Sequence, residues 1–227
     1  MVNIELNKII LADCMDIMKD IPDKYFELAI VDPPYGIKHD RNLTAYGKAG
    51  KSFSFNKNKI NHLKKNWDDK IPDECYFFEL FRISKNQIIW GANNFSKYIP
   101  SSTGWIYWDK KITNKNNKNF SDGELAFTSF NKRLIKFEFD WIGFGYLNSN
   151  EERKIHPTQK PVALYRWLLQ NYAKTGDKII DTHSGSGSLA CACLLEKFDF
   201  LAIEKDEDYY NDSVKRFNEL KSQGVLF

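Results

Sequence analysis

Four consecutive residues, Asp32-Pro33-Pro34-Tyr35, follow an apolar run that ends at Val31. Because a proline fixes φ and has no N–H to donate, this turn would hold the Asp32 carboxylate and the Pro33 carbonyl as two neighbouring acceptors. Two acceptors aimed at an exocyclic amine would draw its nitrogen towards sp³ geometry and free the lone pair for attack, and Tyr35 offers a flat surface for an extruded base. A capped turn at a strand end is the simpler alternative. The second proline and the tyrosine favour a catalytic turn.

A glycine-rich turn at residues 181–188, with the sequence DTHSGSGS, stands between an apolar run and a predicted helix. Gly185 and Gly187 allow a sharp turn and close approach to a ligand, and the helix N-terminus offers unpaired amides. The next apolar run ends at Glu204, whose carboxylate suits two ribose hydroxyls. The chain has neither GxGxxG nor GKS/GKT, so a nucleoside cofactor without a pyrophosphate, such as S-adenosylmethionine, fits better than NAD or ATP. A purely structural turn is the alternative.

The net charge of +3 is unevenly distributed along the chain. Residues 36–66 carry a net charge of +7, from the single acid Asp40 and eight basic residues: Lys38, Arg41, Lys48, Lys51, Lys57, Lys59, Lys64 and Lys65. Aromatic residues lie among these lysines, and a second basic stretch follows between Asp109 and Asp122. Basic loops with interleaved rings suit a polyanion such as nucleic acid. A solvated loop is the alternative.

The pattern of apolar residues along the rest of the chain predicts the strands and helices that must position these motifs. Strand-like apolar segments lie at residues 8–12, 27–31, 87–90, 104–108, 124–130, 135–139, 178–180 and 200–203. Helix signals predict helices over residues 15–18, 73–83, 161–174, 188–197 and 206–223. Strands and helices alternate in the C-terminal third as they do in parallel βαβ units. We therefore predict a single α/β domain over residues 1–227 with elaborated loops.

Length and composition exclude several classes of protein. A chain of 227 residues with 6 Trp, 11 Tyr and 17 Phe is too aromatic to be disordered throughout and long enough to bury a core. Its apolar runs are too short to cross a bilayer, and the N-terminus lacks the pattern of an export signal. The four cysteines have the spacing of neither a metal site nor a disulfide framework. We therefore expect reduced thiols, no metal and a cytoplasmic location.

The order of these motifs is similar to that of the β-class exocyclic-amine (N6-adenine or N4-cytosine) DNA methyltransferases, in which the Asp-Pro-Pro-Tyr turn precedes the glycine-rich cofactor turn. The resemblance covers most of the chain. It includes the shorter fragments Asp13-Cys14, Ile21-Pro22-Asp23, Ile89-Trp90-Gly91, Trp108-Asp109-Lys110, Phe120-Ser121-Asp122, Glu124-Leu125-Ala126 and His156-Pro157-Thr158-Gln159-Lys160-Pro161. Each fragment alone is modest evidence, and their shared order is strong evidence.

The resemblance implies a fold, a cofactor and a site. The fold is the Rossmann-like methyltransferase fold, with a mostly parallel seven-stranded sheet, helices on both faces and a circularly permuted motif order. The cofactor is S-adenosylmethionine, and the acceptor is a flipped adenine or cytosine. Residues 32–35 would form the catalytic turn, and Thr158 and Lys160 would lie near the cofactor carboxylate. The full set of cofactor contacts would be Asp13, Cys14, Asp32, Thr158, Lys160, Asp181, His183, Ser184, Gly185, Gly187 and Glu204.

The chain departs from the family pattern directly after Asp181, where Thr182 and His183 replace the usual Pro and Phe. The imidazole keeps a planar ring, but a DNA-binding module with a decayed cofactor pocket is a second hypothesis. An Asp at the first catalytic position favours N6-adenine, because the N4-cytosine enzymes more often resemble Ser-Pro-Pro-Tyr. Methylation of RNA or of a protein amide is disfavoured, since those families mostly place the glycine-rich turn upstream.

The expected partner is double-stranded DNA. Residues 36–72 would form a basic loop that clamps phosphates and helps eject the target base, and a region from about 109 to 150 would recognise the sequence. A restriction endonuclease is a compatible second partner, although the chain itself has no PD…ExK nuclease pattern. We expect a monomer or a homodimer and no membrane association.

Overall fold

The computed structural model of the protein describes residues 4–37, 68–111, 121–141, 155–156 and 158–224. The elements in these ranges are β1 (Lys8–Leu11), α1 (Cys14–Met18), β2 (Phe26–Val31), α2 (Glu74–Ile83), β3 (Ser84–Trp90), a 3₁₀ turn (Ala92–Asn94), β4 (Trp105–Asp109), β5 (Gly123–Thr128), β6 (Ile135–Glu138), α3 (Val162–Tyr172), β7 (Lys178–Asp181), α4 (Ser188–Glu196), β8 (Asp199–Glu204) and α5 (Glu207–Ser222). Each predicted strand and helix is present with shifted ends. Among the described residues, no helix is long and apolar enough to cross a membrane.

The strands form one mixed sheet in the order β1-β8-β7-β2-β3-β5-β4-β6. Neighbouring strands are parallel, except that β5 runs antiparallel to both β3 and β4. This arrangement confirms the predicted α/β fold with a mostly parallel sheet. The resemblance implies seven strands, whereas the described residues form eight, because residues 135–138 pair with β4 and extend the sheet at its edge.

The core lies on both faces of the sheet. Along β2, Leu28 and Ile30 belong to one apolar cluster and Ala29 and Val31 to the other, as the alternation of side chains in a strand requires. The first cluster includes buried residues of α3, α4 and α5, and the second includes buried residues of α1 and α2. The chain therefore has three layers, with helices packed on each face of the sheet.

One edge of the sheet collects the polar residues that follow the strands. Because β1, β8, β7 and β2 are adjacent and parallel, their carboxyl ends lie side by side. Glu204 and Asp181 are the last residues of β8 and β7, and Asp13 and Asp32 follow β1 and β2. Strand β5 runs in the opposite direction, so it begins at this edge, and its Glu124 lies there. The sheet topology thus places residues that are far apart in the sequence at one site.

Candidate active site

The polar edge of the sheet lines a cavity of about 720 Å³, a size that suits a cofactor. Most of the predicted cofactor residues belong to its wall: Asp13, Cys14, Asp32, Thr158, Lys160, His183, Ser184, Gly185 and Glu204. Pro34 of the predicted catalytic turn lines the cavity with Asp32. Asp181 and Gly187 are not part of the lining. The structure therefore brings both predicted motifs to a single cavity.

The Asp32 carboxylate is held by two side chains. Its Oδ1 accepts a hydrogen bond from the Tyr35 hydroxyl at 2.6 Å, and its Oδ2 lies 2.5 Å from the Nζ of Lys160. Burial raises the pKa of Asp32 above its ordinary value, and the positive charge of Lys160 opposes that rise. A carboxylate has about four lone-pair sites. Each oxygen of Asp32 therefore keeps capacity to accept a further N–H.

Lys160 is the central cation of the site, and its side chain is only 2% exposed. Its Nζ also lies 3.0 Å from Glu124 Oε2 and donates to the Tyr35 hydroxyl at 3.2 Å. Burial alone lowers the pKa of an ammonium, but Asp32 and Glu124 raise the pKa of Lys160 above its ordinary value. The family resemblance implies that Lys160 lies near the cofactor carboxylate. The structure places its ammonium on Asp32 and Glu124.

Tyr35 lies against Gly91, directly after β3. Gly91 has a φ of +65°, and a Cβ added there would lie 2.1 Å from Cε1 of the tyrosine ring. Only glycine permits this approach, so the Trp90-Gly91 fragment has a steric reason for its sequence. The ring also packs edge to face on Phe95, with centroids 6.1 Å apart. The tyrosine of the predicted catalytic turn is thus fixed by its ring and by its hydroxyl.

Glu204 ends β8, which is separated by β7 from β2, the strand that leads into Asp32. Its carboxylate accepts hydrogen bonds from the backbone amides of Gly185, at 2.6 Å, and Asp206, at 2.8 Å. Burial raises the pKa of Glu204, while these amides act to lower it. The glycine-rich turn and the acidic end of β8 are therefore joined directly. Two amides thus fix the orientation of the Glu204 carboxylate, and Glu204 lines the cavity.

The glycine-rich turn contains one unsatisfied polar atom. Ser184 Oγ is buried and has no hydrogen-bond partner among the described residues. Gly187 has a φ of +70°, and a Cβ added there would lie 3.1 Å from Ser213 Cβ and 3.3 Å from Ile9 Cδ1. This glycine allows the turn to pack closely on α5 and β1.

Burial raises the pKa of Asp181 to about 8, although the His183 amide, at 3.1 Å, acts to lower it.

The departure at Thr182 and His183 is accommodated by hydrogen bonds. Thr182 Oγ1 lies 2.7 Å from the Tyr76 hydroxyl and 3.0 Å from His183 Nδ1. The imidazole packs edge to face on the Tyr76 ring, with centroids 5.2 Å apart. Burial lowers the pKa of His183 to about 4, so the ring is neutral at pH 7. The pocket wall therefore keeps a planar, uncharged ring at this position.

Asp13 and Cys14 line the cavity at the start of α1. The Asp13 side chain caps this helix by accepting from the Met15 amide at 3.0 Å, and it pairs with Lys205 Nζ at 2.6 Å. The hydrogen bond from Lys205 lowers the pKa of Asp13. Burial raises the pKa of the Cys14 thiol to about 12, so the thiol is protonated at pH 7.

The eight basic residues predicted to bind DNA all lie outside the described residues: Lys38, Arg41, Lys48, Lys51, Lys57, Lys59, Lys64 and Lys65. Residues 112–120 and 142–154, which include much of the predicted recognition region, also lie outside them. The flanks of the basic segment meet beside the catalytic turn, because the Gly36 amide donates to Asp68 Oδ1 at 2.9 Å. The segment therefore leaves and rejoins the described structure next to Tyr35.

Known proteins share both the sequence pattern and the fold. A family model for DNA methylases of the N6/N4 type matches residues 83–215, more than half of the chain. The type II methyltransferase M.HinfI from Haemophilus influenzae is 23% identical over 263 aligned positions, which cover 97% of this chain and 70% of that protein.

Solved structures with this fold include an M1.HpyAVI–SAM complex, with a TM-score of 0.55 and 18% identity over 93% of this chain and 98% of that chain. The cytosine-N4-specific PvuII DNA methyltransferase has a TM-score of 0.56 and 11% identity over 95% and 91% of the two chains. At these identities the likeness concerns the fold.

Proposed function

Because the chain belongs to the N6/N4 DNA methylase family, we propose that it transfers a methyl group from S-adenosylmethionine to the exocyclic N6 amine of a flipped adenine in DNA. One observation carries the proposal. The Asp32 carboxylate, which Tyr35 and Lys160 hold from two sides, opens into the same cavity as Glu204 and the glycine-rich turn. An amine acceptor site and a nucleoside site are therefore adjacent.

The residues of the cavity fit the cofactor. S-adenosylmethionine, when bound, supplies an electrophilic methyl group. Glu204 would accept hydrogen bonds from its ribose hydroxyls, and the buried hydroxyl of Ser184 is a polar group still without a partner in the described residues. The neutral His183 ring would cover one side of the pocket. These features argue against a decayed pocket at residues 182 and 183.

The catalytic turn would act mainly by alignment. Asp32 orients the target amine by accepting an N–H, and a rigid approach to the methyl donor supplies up to ~7–11 kcal/mol of the barrier in favourable cases. Asp32 does not need to be a strong base, because the nitrogen becomes acidic once it is methylated and releases its proton afterwards. The residues around Asp32 would therefore have to keep its carboxylate ionised and correctly oriented.

The aspartate at the first position of the turn supports adenine as the target base. N4-cytosine is the second candidate, because the cytosine-N4-specific PvuII enzyme has the same fold. RNA or a protein amide is a weaker candidate, since the glycine-rich turn lies downstream of the catalytic turn in this chain.

The DNA side of the proposal depends on the basic segment. The eight basic residues lie in the sequence between Gly36 and Asp68, which are joined by a hydrogen bond. Their charges suit the phosphates of double-stranded DNA around an extruded base. We assign sequence recognition to the region from about 109 to 150. A restriction endonuclease partner, a monomeric or homodimeric state and a cytoplasmic location complete the proposal.

Expression in a host without DNA methylation tests this function directly. Sequencing that detects modified bases should find N6-methyladenine at one recurring sequence, and the same host carrying the Asp32→Ala variant should show none. N4-methylcytosine at a recurring sequence would show instead that the target base is cytosine, the second candidate. Unmodified DNA together with calorimetry that detects no S-adenosylmethionine binding would support a non-catalytic DNA-binding module.

Glu204→Gln should weaken S-adenosylmethionine binding by about 10- to 100-fold, because a charged acceptor contributes about 1.5–3 kcal/mol to a hydrogen bond. Isothermal titration measures the change in Kd. Glu207→Gln is the matched control, since Glu207 lies nearby in the first turn of α5 and is exposed. An unchanged Kd for Glu204→Gln would remove Glu204 from the cofactor site.

A further inference from the structure

Glu124 and Lys110 are partly buried charged residues that lie outside the catalytic turn predicted from the sequence. Glu124 Oε2 lies 3.0 Å from Lys160 Nζ, and Oε1 lies 2.5 Å from Lys110 Nζ. The Glu124 side chain is 20% exposed and that of Lys110 is 18% exposed. Glu124 also accepts a hydrogen bond from the Tyr35 hydroxyl at 3.3 Å. Glu124 thus contacts both groups that hold Asp32.

The two lysines lie over a pair of tryptophans. Lys160 Nζ is 5.4 Å from the Trp90 ring centroid, and Lys110 Nζ is 5.1 Å from that of Trp108. The two indoles pack edge to face with centroids 6.2 Å apart. Each ammonium therefore has a carboxylate on one side and an aromatic face on another, and both attract a positive charge. This arrangement gives a role to the Trp90, Trp108 and Glu124 fragments of the sequence.

The charges in this cluster balance. Asp32 and Glu124 supply two negative charges, and Lys160 and Lys110 supply two positive charges. Burial alone would raise the pKa of Glu124, but Lys160 and Lys110 together lower it to about 2. Glu124 is therefore a carboxylate throughout the physiological pH range. Without its charge, Lys160 would have Asp32 as its single ionic partner in this cluster.

We propose that Glu124 is a positioning residue for methyl transfer, which acts through Lys160 and Tyr35 to keep the Asp32 carboxylate oriented and available to the target amine. The inference rests on the proposed function. Glu124 shares the ammonium of Lys160 with Asp32, so Asp32 is held without being bound too tightly to accept another N–H. Lys110 neutralises the second oxygen of Glu124 and keeps it in place.

The test is the single-turnover methylation rate of Glu124→Gln, measured at saturating DNA and S-adenosylmethionine. We expect a loss of about 10- to 100-fold, with the Kd for S-adenosylmethionine and the KM for DNA within about threefold of wild type. Because the negative charge of Glu124 raises the pKa of Asp32, the acidic limb of the pH–rate profile should move to lower pH in the variant. A purely structural role would not move this limb.

Lys110→Met provides a second variant, and a double-mutant cycle tests whether Lys110 acts through Glu124. Lys110→Met should slow the reaction about 3- to 10-fold alone and should have no further effect in the Glu124→Gln background. The control is Glu196→Gln, because the Glu196 side chain is 16% exposed, pairs with Arg166 at 2.6 Å and lies outside both the cavity lining and the proposed recognition region. It should retain the wild-type rate.

The outcomes separate the two proposals. An active wild-type enzyme with undiminished rates in both Glu124→Gln and Lys110→Met would overturn the positioning role alone. If Glu124→Gln does not fold, an undiminished rate in Lys110→Met still overturns it. A wild-type chain that binds S-adenosylmethionine but methylates no DNA would overturn the proposed function and this inference together.

Discussion

Asp32→Asn should reduce the rate of methyl transfer by a factor of about 10²–10³ or more while leaving S-adenosylmethionine affinity within about threefold of wild type. The amide is nearly the same size as the carboxylate, but one of its two acceptor oxygens becomes a donor. That donor would face either the Tyr35 hydroxyl or the Lys160 ammonium, both of which donate to Asp32 in the wild type. The charge that polarises the amine is also lost. Single-turnover methylation and calorimetry measure the two quantities separately.

The matched control for this variant is Asp23→Asn. Asp23 also pairs with a basic side chain, Arg82 at 2.8 Å, but its own side chain is 76% exposed. We expect it to retain wild-type methylation, because an exposed ion pair contributes little. Near-normal turnover in Asp32→Asn would contradict the assignment of residues 32–35 as the catalytic turn. A large loss of cofactor affinity would instead place Asp32 mainly in the cofactor site.

The fold and one half of the site could be predicted because they depend on strand ends. In a parallel sheet, residues that follow adjacent strands must meet at one edge. The apolar runs placed Asp13, Asp32, Asp181 and Glu204 at strand ends, and the family resemblance placed them in one site. The glycine at position 185 also has a local cause, a φ of +50° that the sequence pattern reflects.

The other half of the site depends on strand direction and pairing, which a local pattern does not reveal. Glu124 reaches the catalytic turn because β5 is antiparallel to β3 and β4, so its first residues lie at the edge where the parallel strands end. The same strand in a parallel orientation would place Glu124 at the opposite edge. Lys160 precedes a helix, and its sequence position does not show which carboxylate it contacts. The sequence did contain one indication of these residues, because the Trp108 and Glu124 fragments are among those that resemble the family.

Lys160→Met should destabilise the fold and abolish methylation together. Removing one member of a buried ion pair typically costs about 3–5 kcal/mol of unfolding free energy, because the remaining charges lose their partner. Here Asp32 and Glu124 would both remain, within reach of the same Tyr35 hydroxyl. Glu124 would keep its ion pair with Lys110, whereas Asp32 would lose its ion pair with Lys160 and remain beside the negative charge of Glu124. That charge raises the pKa of Asp32, so Asp32 would bind a proton.

The bound proton makes the free energy of unfolding of Lys160→Met depend on pH. Above the ordinary carboxyl pKa of about 4, the folded variant would hold a proton that its unfolded chain has released. Its free energy of unfolding should therefore fall as the pH rises from about 5 to 8, and the difference from wild type should widen over the same interval. Urea titrations at several pH values measure this trend. A constant difference would mean that Asp32 and Glu124 do not share the charge of Lys160.

Lys136→Met is the matched control, because Lys136 also contacts two carboxylates, Asp109 and Glu138, but is 49% exposed. We expect its stability to change by less than about 1 kcal/mol.

Cofactor affinity then decides between the two roles of Lys160. If its ammonium serves Asp32, the folded fraction of Lys160→Met should bind S-adenosylmethionine within about threefold of wild type at pH 6. If it serves the cofactor carboxylate, as the family resemblance implies, the loss of that charge-assisted hydrogen bond should weaken binding by about 10-fold or more.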